Sequence, residues 1–268
     1  MFFNTDKLKF YRNSIGTFKL DELSFENTES FELIKDKSAV AGKIDLTSDI
    51  SKKSLLEMAT VFKYTEQESV KNSIFNTLSS NEVLEEGNTY FSQKITYTQR
   101  FSDTKALVTN LRFVHEQIPQ YYAIDQFLFP DLFPNLPGAN KMAQKSQSEM
   151  TFGGIELRYL SKSSKGNLFE IAIGNKFKND KLASVFQIKN DDVLVLAPDE
   201  YANSIRFLSN NLYLNSKYNY KLNKVRILFQ AGFQQISNRI NIHKQSAKHP
   251  FYVVPQIGFD WQINAVNR

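Results

Sequence analysis

Long stretches of the chain alternate apolar and polar residues, break at a small polar turn, and then resume in step. Between Gln93 and Gln117, Ile95, Tyr97 and Phe101 share one parity while Lys94, Thr96, Thr98 and Arg100 hold the other. Beyond Ser102-Asp103-Thr104-Lys105, Leu107, Leu111 and Phe113 share a parity, interleaved with Asn110, Arg112 and Glu116. A period of two fits a β-strand with one apolar and one wet face. Two such runs on a short Ser/Asp/Thr/Lys link predict a long antiparallel hairpin.

The device recurs. Ile44, Leu46 and Ile50 alternate ahead of Ser51-Lys52-Lys53-Ser54, and Leu56, Met58, Phe62 and Tyr64 alternate after it. Ile155, Leu157 and Tyr159 lead through a Ser/Lys/Gly turn to Phe169, Ile171, Ile173 and Phe177. Leu212, Leu214, Tyr218, Tyr220 and Leu222 are joined at Asn223-Lys224 to Val225, Ile227, Phe229, Ala231 and Phe233. A last run carries Val253, Ile257, Phe259, Trp261 and Ile263. The stretch 51–80 also fits a helix, with Leu55, Met58, Ala59 and Phe62 on one side and Ser51 as N-cap. The β-formers Thr60, Val61, Tyr64 and Thr65 favour a strand to about Tyr64, leaving 66–80 as helix or loop.

Links within hairpins are short, whereas those between hairpins are expected to be long, at roughly 65–88, 118–147, 190–203 and 237–250. Short turns alternating with long loops put every long loop at one end of the sheet, as in an outer-membrane barrel. Strands of ~9–11 residues cross a bilayer at a tilt. Aromatics near the short turns (Tyr97, Phe101, Tyr159, Tyr218 and Tyr220) would sit at headgroup depth. The fold class expected is therefore all-β, an antiparallel up-and-down meander forming part of a transmembrane outer-membrane β-barrel. Its apolar parity would face hydrocarbon and its wet parity a lumen. A soluble β-sandwich or closed barrel also alternates, with the apolar parity turned inward.

Composition agrees with strands. The 268 residues hold 23 Phe and 12 Tyr, but only 10 Gly and 7 Pro. The absence of Cys excludes disulfides and thiolate metal sites. The net charge of +5 comes from 33 basic and 28 acidic residues scattered along the chain, which argues against a nucleic-acid partner. No apolar run approaches the ~18–20 residues of a membrane-spanning helix, and the start lacks the layout of a secretory signal.

The stretches 95–113, 213–234 and 255–268 resemble the strand–turn–strand units of TonB-dependent receptors, especially those of Bacteroidetes. The Pro- and aromatic-rich 126–138 resembles one of that family's external loops. The likeness covers most of 42–268; residues 1–41 are expected to add further strands. It implies an outer-membrane receptor that imports a large solute of the siderophore, vitamin, glycan or peptide class, without catalysis or cofactor. Its partners would be outer-membrane lipid, the solute, and the TonB system through a plug domain absent from this chain. The family's barrel has about 22 strands, so the chain is expected to be a partial one. A soluble carbohydrate- or peptide-binding module is the alternative.

Candidate chemistry is sparse. His115 lacks the second histidine of a zincin helix, and His243 and His249 flank a loop. Asp191, Asp192, Asp199 and Glu200 lack the spacing of a calcium loop. Gly153-Gly154 precedes no phosphate-binding helix, and no nucleophile elbow occurs. No metal site is expected. The candidate ligand-binding residues are Tyr121, Tyr122, Phe127, Phe129 and Phe133, whose rings could stack on a solute at an external loop; packing against the barrel rim is their bland alternative.

Overall fold

A computed structural model describes residues 1–20, 23–127, 138–191, 193–196, 202–222, 225–241 and 249–261. The described chain is one antiparallel sheet of eleven strands. In order these are β1 (Phe2–Leu20), β2 (Leu23–Ser51), β3 (Ser54–Phe75), β4 (Leu78–Ser102), β5 (Lys105–Ile124), β6 (Lys141–Lys162), β7 (Leu168–Asn190), β8 (Val193–Leu196), β9 (Asn203–Leu222), β10 (Val225–Ile240) and β11 (Phe251–Trp261). Each long strand pairs with its sequence neighbours, except that β9 follows β7 directly and the four-residue β8 lies off the path, paired with β7. The up-and-down meander is thus as expected. The sheet does not close into a barrel, and β1 and β11 are its edges.

The hairpin turns at residues 52–53 and 103–104 lie where the pattern breaks. A wider turn at 163–167 joins β6 to β7. Gly166 adopts a positive φ there, and Ser163 Oγ accepts from the Asn167 amide at 3.1 Å. The turn expected at Asn223-Lys224 lies outside the described residues.

Three expectations need correction. Of the connection expected at 118–147, residues 118–124 belong to β5 and 141–147 to β6, paired from Ile118↔Ser148 to Ile124↔Met142. Residues 65–88 are neither loop nor helix: β3 and β4 stay paired to Phe75↔Leu78. Asn76 turns the chain with a φ of 54°, a left-handed conformation that Asn tolerates, and its carboxamide oxygen accepts from the Thr28 amide at 2.9 Å. Most strands also run far beyond a bilayer crossing, from 16 residues in β10 to 29 in β2. β2 passes through residues 41–42 without a break.

The register makes the alternation two-dimensional. Leu46, Met58, Ile95, Leu111 and Ile155 lie directly opposite one another across β2 to β6. Leu157, Ile173, Leu214, Phe233 and Val253 continue in the same way across β6, β7, β9, β10 and β11. Both rungs belong to one face. No second layer covers it among the described residues: Leu111 is 41% exposed, Phe229 45% and Ile173 51%. The accessible surface is 18877 Å², where a compact globular protein of this mass exposes roughly 12,000 Å².

The local core lies at the other end of the strands and on the opposite face. Phe127, Ala139 and the fully buried Ile188 pack with Ile124, Met142 and Phe186.

Candidate functional site

The uncovered apolar face is a band that begins at the short turns. β9 carries it from Leu212 to Leu222, β10 from Val225 to Phe233, and β7 from Phe169 to Phe177. Runs of ~9–11 residues at ~3.3 Å per residue, tilted by ~45°, span about 25 Å.

Aromatic rings mark both borders. Near the short turns stand Tyr97, Tyr159, Tyr218, Tyr220, Phe259 and Trp261, with the rings of Tyr218 and Tyr220 stacked at 6.4 Å. At the far border stand Phe62, Phe91, Phe113, Phe177, Phe233 and Phe251. Phe91 lies opposite Phe62 and 6.2 Å from Phe113, and Phe233 stacks on Phe251 at 6.3 Å. Of the first row, the sequence pattern identifies Tyr97, Tyr159, Tyr218 and Tyr220 as border aromatics; Phe101, expected with them, falls at the register irregularity between Arg100 and Ser102, and the border position of Phe259 and Trp261 was not expected. The second row was hidden because its members are scattered through the chain and align only once the register is known.

Behind the band, the opposite face is polar. Glu156 accepts from Tyr213 at 2.8 Å, from Arg158 at 2.8 Å and from Asn110 at 3.3 Å. Arg158 also pairs with Glu170 at 3.4 Å. Tyr213 lies across Gly174 on the neighbouring strand; a Cβ there would sit 2.5 Å from Tyr213 Cζ and 2.8 Å from the Ile155 carbonyl oxygen. The glycine is the space that lets the ring lie flat and its hydroxyl reach Glu156. Further along this face, Lys71 pairs with Glu82 at 2.7 Å, and Tyr122 donates to the same carboxylate at 3.0 Å. Burial first, and then that hydrogen bond to an anion, push the Tyr122 phenol up to about 12.

Beyond the far aromatic row, the band's own face turns polar and forms a groove of about 700 Å³ across β3 to β7. Gly87, Pro119, Tyr121 and Ala183 line its bottom; Glu66, Glu68 and Glu85 stand on one side and Lys145 on the other. Pro119 packs where a side chain at position 87 would go, 3.1 Å from a Cβ there.

The three sequence candidates among the described residues stand in three different places. Tyr121 lines the groove, whereas its neighbour Tyr122 points through the opposite face to Glu82. Phe127 is 5% exposed in the local core, the packing role that was its alternative. Phe129 and Phe133 lie outside the described residues. His115 shares a hydrogen bond with Thr151 at 3.1 Å, and no metal-binding group of His, Asp and Glu occurs among the described residues. The groove is not legible in the sequence because the pattern reads 65–88 and 118–147 as connections, which hides the juxtaposition of Glu66, Glu68, Glu85 and Gly87 with Pro119 and Lys145.

No family model matches the chain, and no curated protein matches it either. No helix among the described residues is long and apolar enough to cross a membrane, which says nothing of crossing by strands.

Proposed function

We propose that this sheet is part of a transmembrane β-barrel in an outer membrane, of the TonB-dependent receptor type, serving uptake of a large solute without catalysis. The observation that carries the reading is the uncovered apolar band, about one bilayer core in height, bordered on both sides by aromatic rings. Each Leu, Ile or Phe left in water forfeits part of the ~1.5–3 kcal/mol its burial contributes; hydrocarbon recovers that, and rings at both borders suit the two headgroup zones. The polar face behind the band then lines the lumen. A soluble binding module would instead need a second layer over the band.

A closed barrel of the receptor type, with about 22 strands, needs more than these. β1 pairs with β2 only as far as Ala41, so residues 43–51 have no partner on that side among the described residues, although Ile44, Leu46 and Ile50 continue the band. β11 exposes the opposite edge. Such edges invite pairing or aggregation. The solute class and the TonB connection rest on the family resemblance.

The single tryptophan supplies a test. Trp261 stands in the row near the short turns. In vesicles of brominated lipid, its fluorescence is expected to be quenched most by bromines close to the headgroup and less by those at the bilayer centre. Emission indifferent to bromine position, from a chain that remains in the aqueous fraction, would refute the membrane reading.

A further inference from the structure

One cross-strand rung in the groove has a charge order that the proposed transport role does not use. Glu68, Glu85, Tyr121, Lys145 and Val185 lie directly opposite one another on β3 to β7. Glu68 and Glu85 are adjacent like charges, exposed, and without an ion pair or hydrogen bond among the described residues. Like charges opposite each other destabilise a sheet, so a cation placed between them relieves the free protein of repulsion. Glu66, one rung away, adds a third carboxylate to that wall. At the far end, the Lys145 ammonium sits 5.8 Å from the centre of the Tyr121 ring. Between the ends, Gly87 contributes no side chain and Pro119 an apolar ring, so the floor is shallow and apolar. Glu68 and Lys145 stand three strand spacings apart, about 14 Å, the reach of roughly four extended residues.

We infer that this groove docks an extended segment of a partner protein, with a lysine or arginine against Glu68 and Glu85, apolar residues over Pro119 and Tyr121, and a carboxylate at Lys145. Three carboxylates against one ammonium repel the anionic headgroups of a membrane, which leaves a protein as the complementary occupant. The position of the groove beyond the far aromatic row places it outside the bilayer; that placement, and nothing else here, rests on the membrane reading. The volume of about 700 Å³ lies within the usual range for ligand sites.

The test uses the full chain in detergent micelles and a fluorescein-labelled pentapeptide with two lysines, two valines and a terminal glutamate, compared with the charge-inverted sequence. Anisotropy is expected to show saturable binding of the first peptide alone, weakening as salt is raised. Glu68→Gln with Glu85→Gln should weaken it about tenfold, and Lys145→Gln should tighten binding of a variant peptide that lacks the glutamate. The second substitution reports a gain, which misfolding cannot mimic. Equal binding of both peptides, or affinity unchanged in the double variant, overturns the proposal. Self-association of the chain that the double variant abolishes would also overturn it, since a second copy would then be the occupant. Loss of binding with the Trp261 quenching profile intact would sink the groove and leave the barrel standing.

Discussion

The same strands hold two regions with opposite sidedness. In β5, the odd positions Leu107, Leu111 and Phe113 are apolar near the short turn, but Val114, Ile118, Tyr122 and Ile124 carry the apolar side beyond it. β7 changes likewise from Phe169, Ile171, Ile173 and Phe177 to Leu182, Phe186 and Ile188, and β10 from Phe233 to Ile236. No register shift interrupts β5–β6 or β6–β7 where this happens, so no bulge turns the side chains over. The change is written in composition alone. Near the turns, the band face is apolar and exposed; beyond, that face is charged and the opposite one packs around Ile188 and Phe127. In the proposed barrel, this change marks where the sheet passes from hydrocarbon into water.

That contrast can be broken most strongly at the band. In the proposed barrel, Ile173→Arg puts a charge on the lipid side and is expected to cost about 2–4 kcal/mol, whereas Ala183→Arg, on the same face of the same strand beyond the border, should cost about 0–1 kcal/mol. Denaturant unfolding in vesicles measures both, and equal costs would erase the distinction. Ile188→Ala, in the local core, should cost about 2–3 kcal/mol, with the loss seen as faster amide exchange in the distal parts of β6 and β7. On the polar face, Gly174→Ala should cost about 1–3 kcal/mol through its clash with Tyr213. A second change, Tyr213→Ala, should remove the part of that penalty due to the ring and leave the part due to the Ile155 carbonyl oxygen, 2.8 Å from the new Cβ, so that the double variant stays less stable than the Tyr213→Ala chain.

The smallest effect is set by pH. The Tyr122 phenol is raised in the folded chain to about 12 from an ordinary 10.0, so the neutral form is the one folding favours. Its contribution is fully present below pH 10 and is lost as pH rises through about 12. Tyr122→Phe should remove that part of the alkaline loss of stability, read by circular dichroism across the same window.

The reversal of sides also explains what the sequence made legible. A single period-two parity is easy to follow from Leu107 to Phe113, and it correctly indicated strands, short turns and an apolar side. It ends where Phe113 and Val114 stand together, and a reader following one parity sees the start of a connection. The distal part of the β3–β4 hairpin gave even less signal: Glu66, Gln67, Glu68 and Ser69 are polar on both faces. Its structure comes from strand pairing and the turn at Asn76, which are non-local facts. The groove was invisible for the same reason, since Glu68, Glu85, Tyr121 and Lys145 form a row only through three strand registers. Tyr121 was picked out for its ring, but its partners were not near it in sequence.

The absence of cysteine makes one measurement direct. Single cysteines placed from 107 to 123 in β5, spin-labelled in lipid vesicles, report collisions with oxygen in hydrocarbon and with a nickel chelate in water. Oxygen maxima are expected at 107, 109, 111 and 113 with nickel maxima between them, and the alternation should give way to nickel access on the same parity at 117 and 121. Oxygen maxima at 108, 110, 112 and 114, or no alternation at all, would contradict a lipid-facing band.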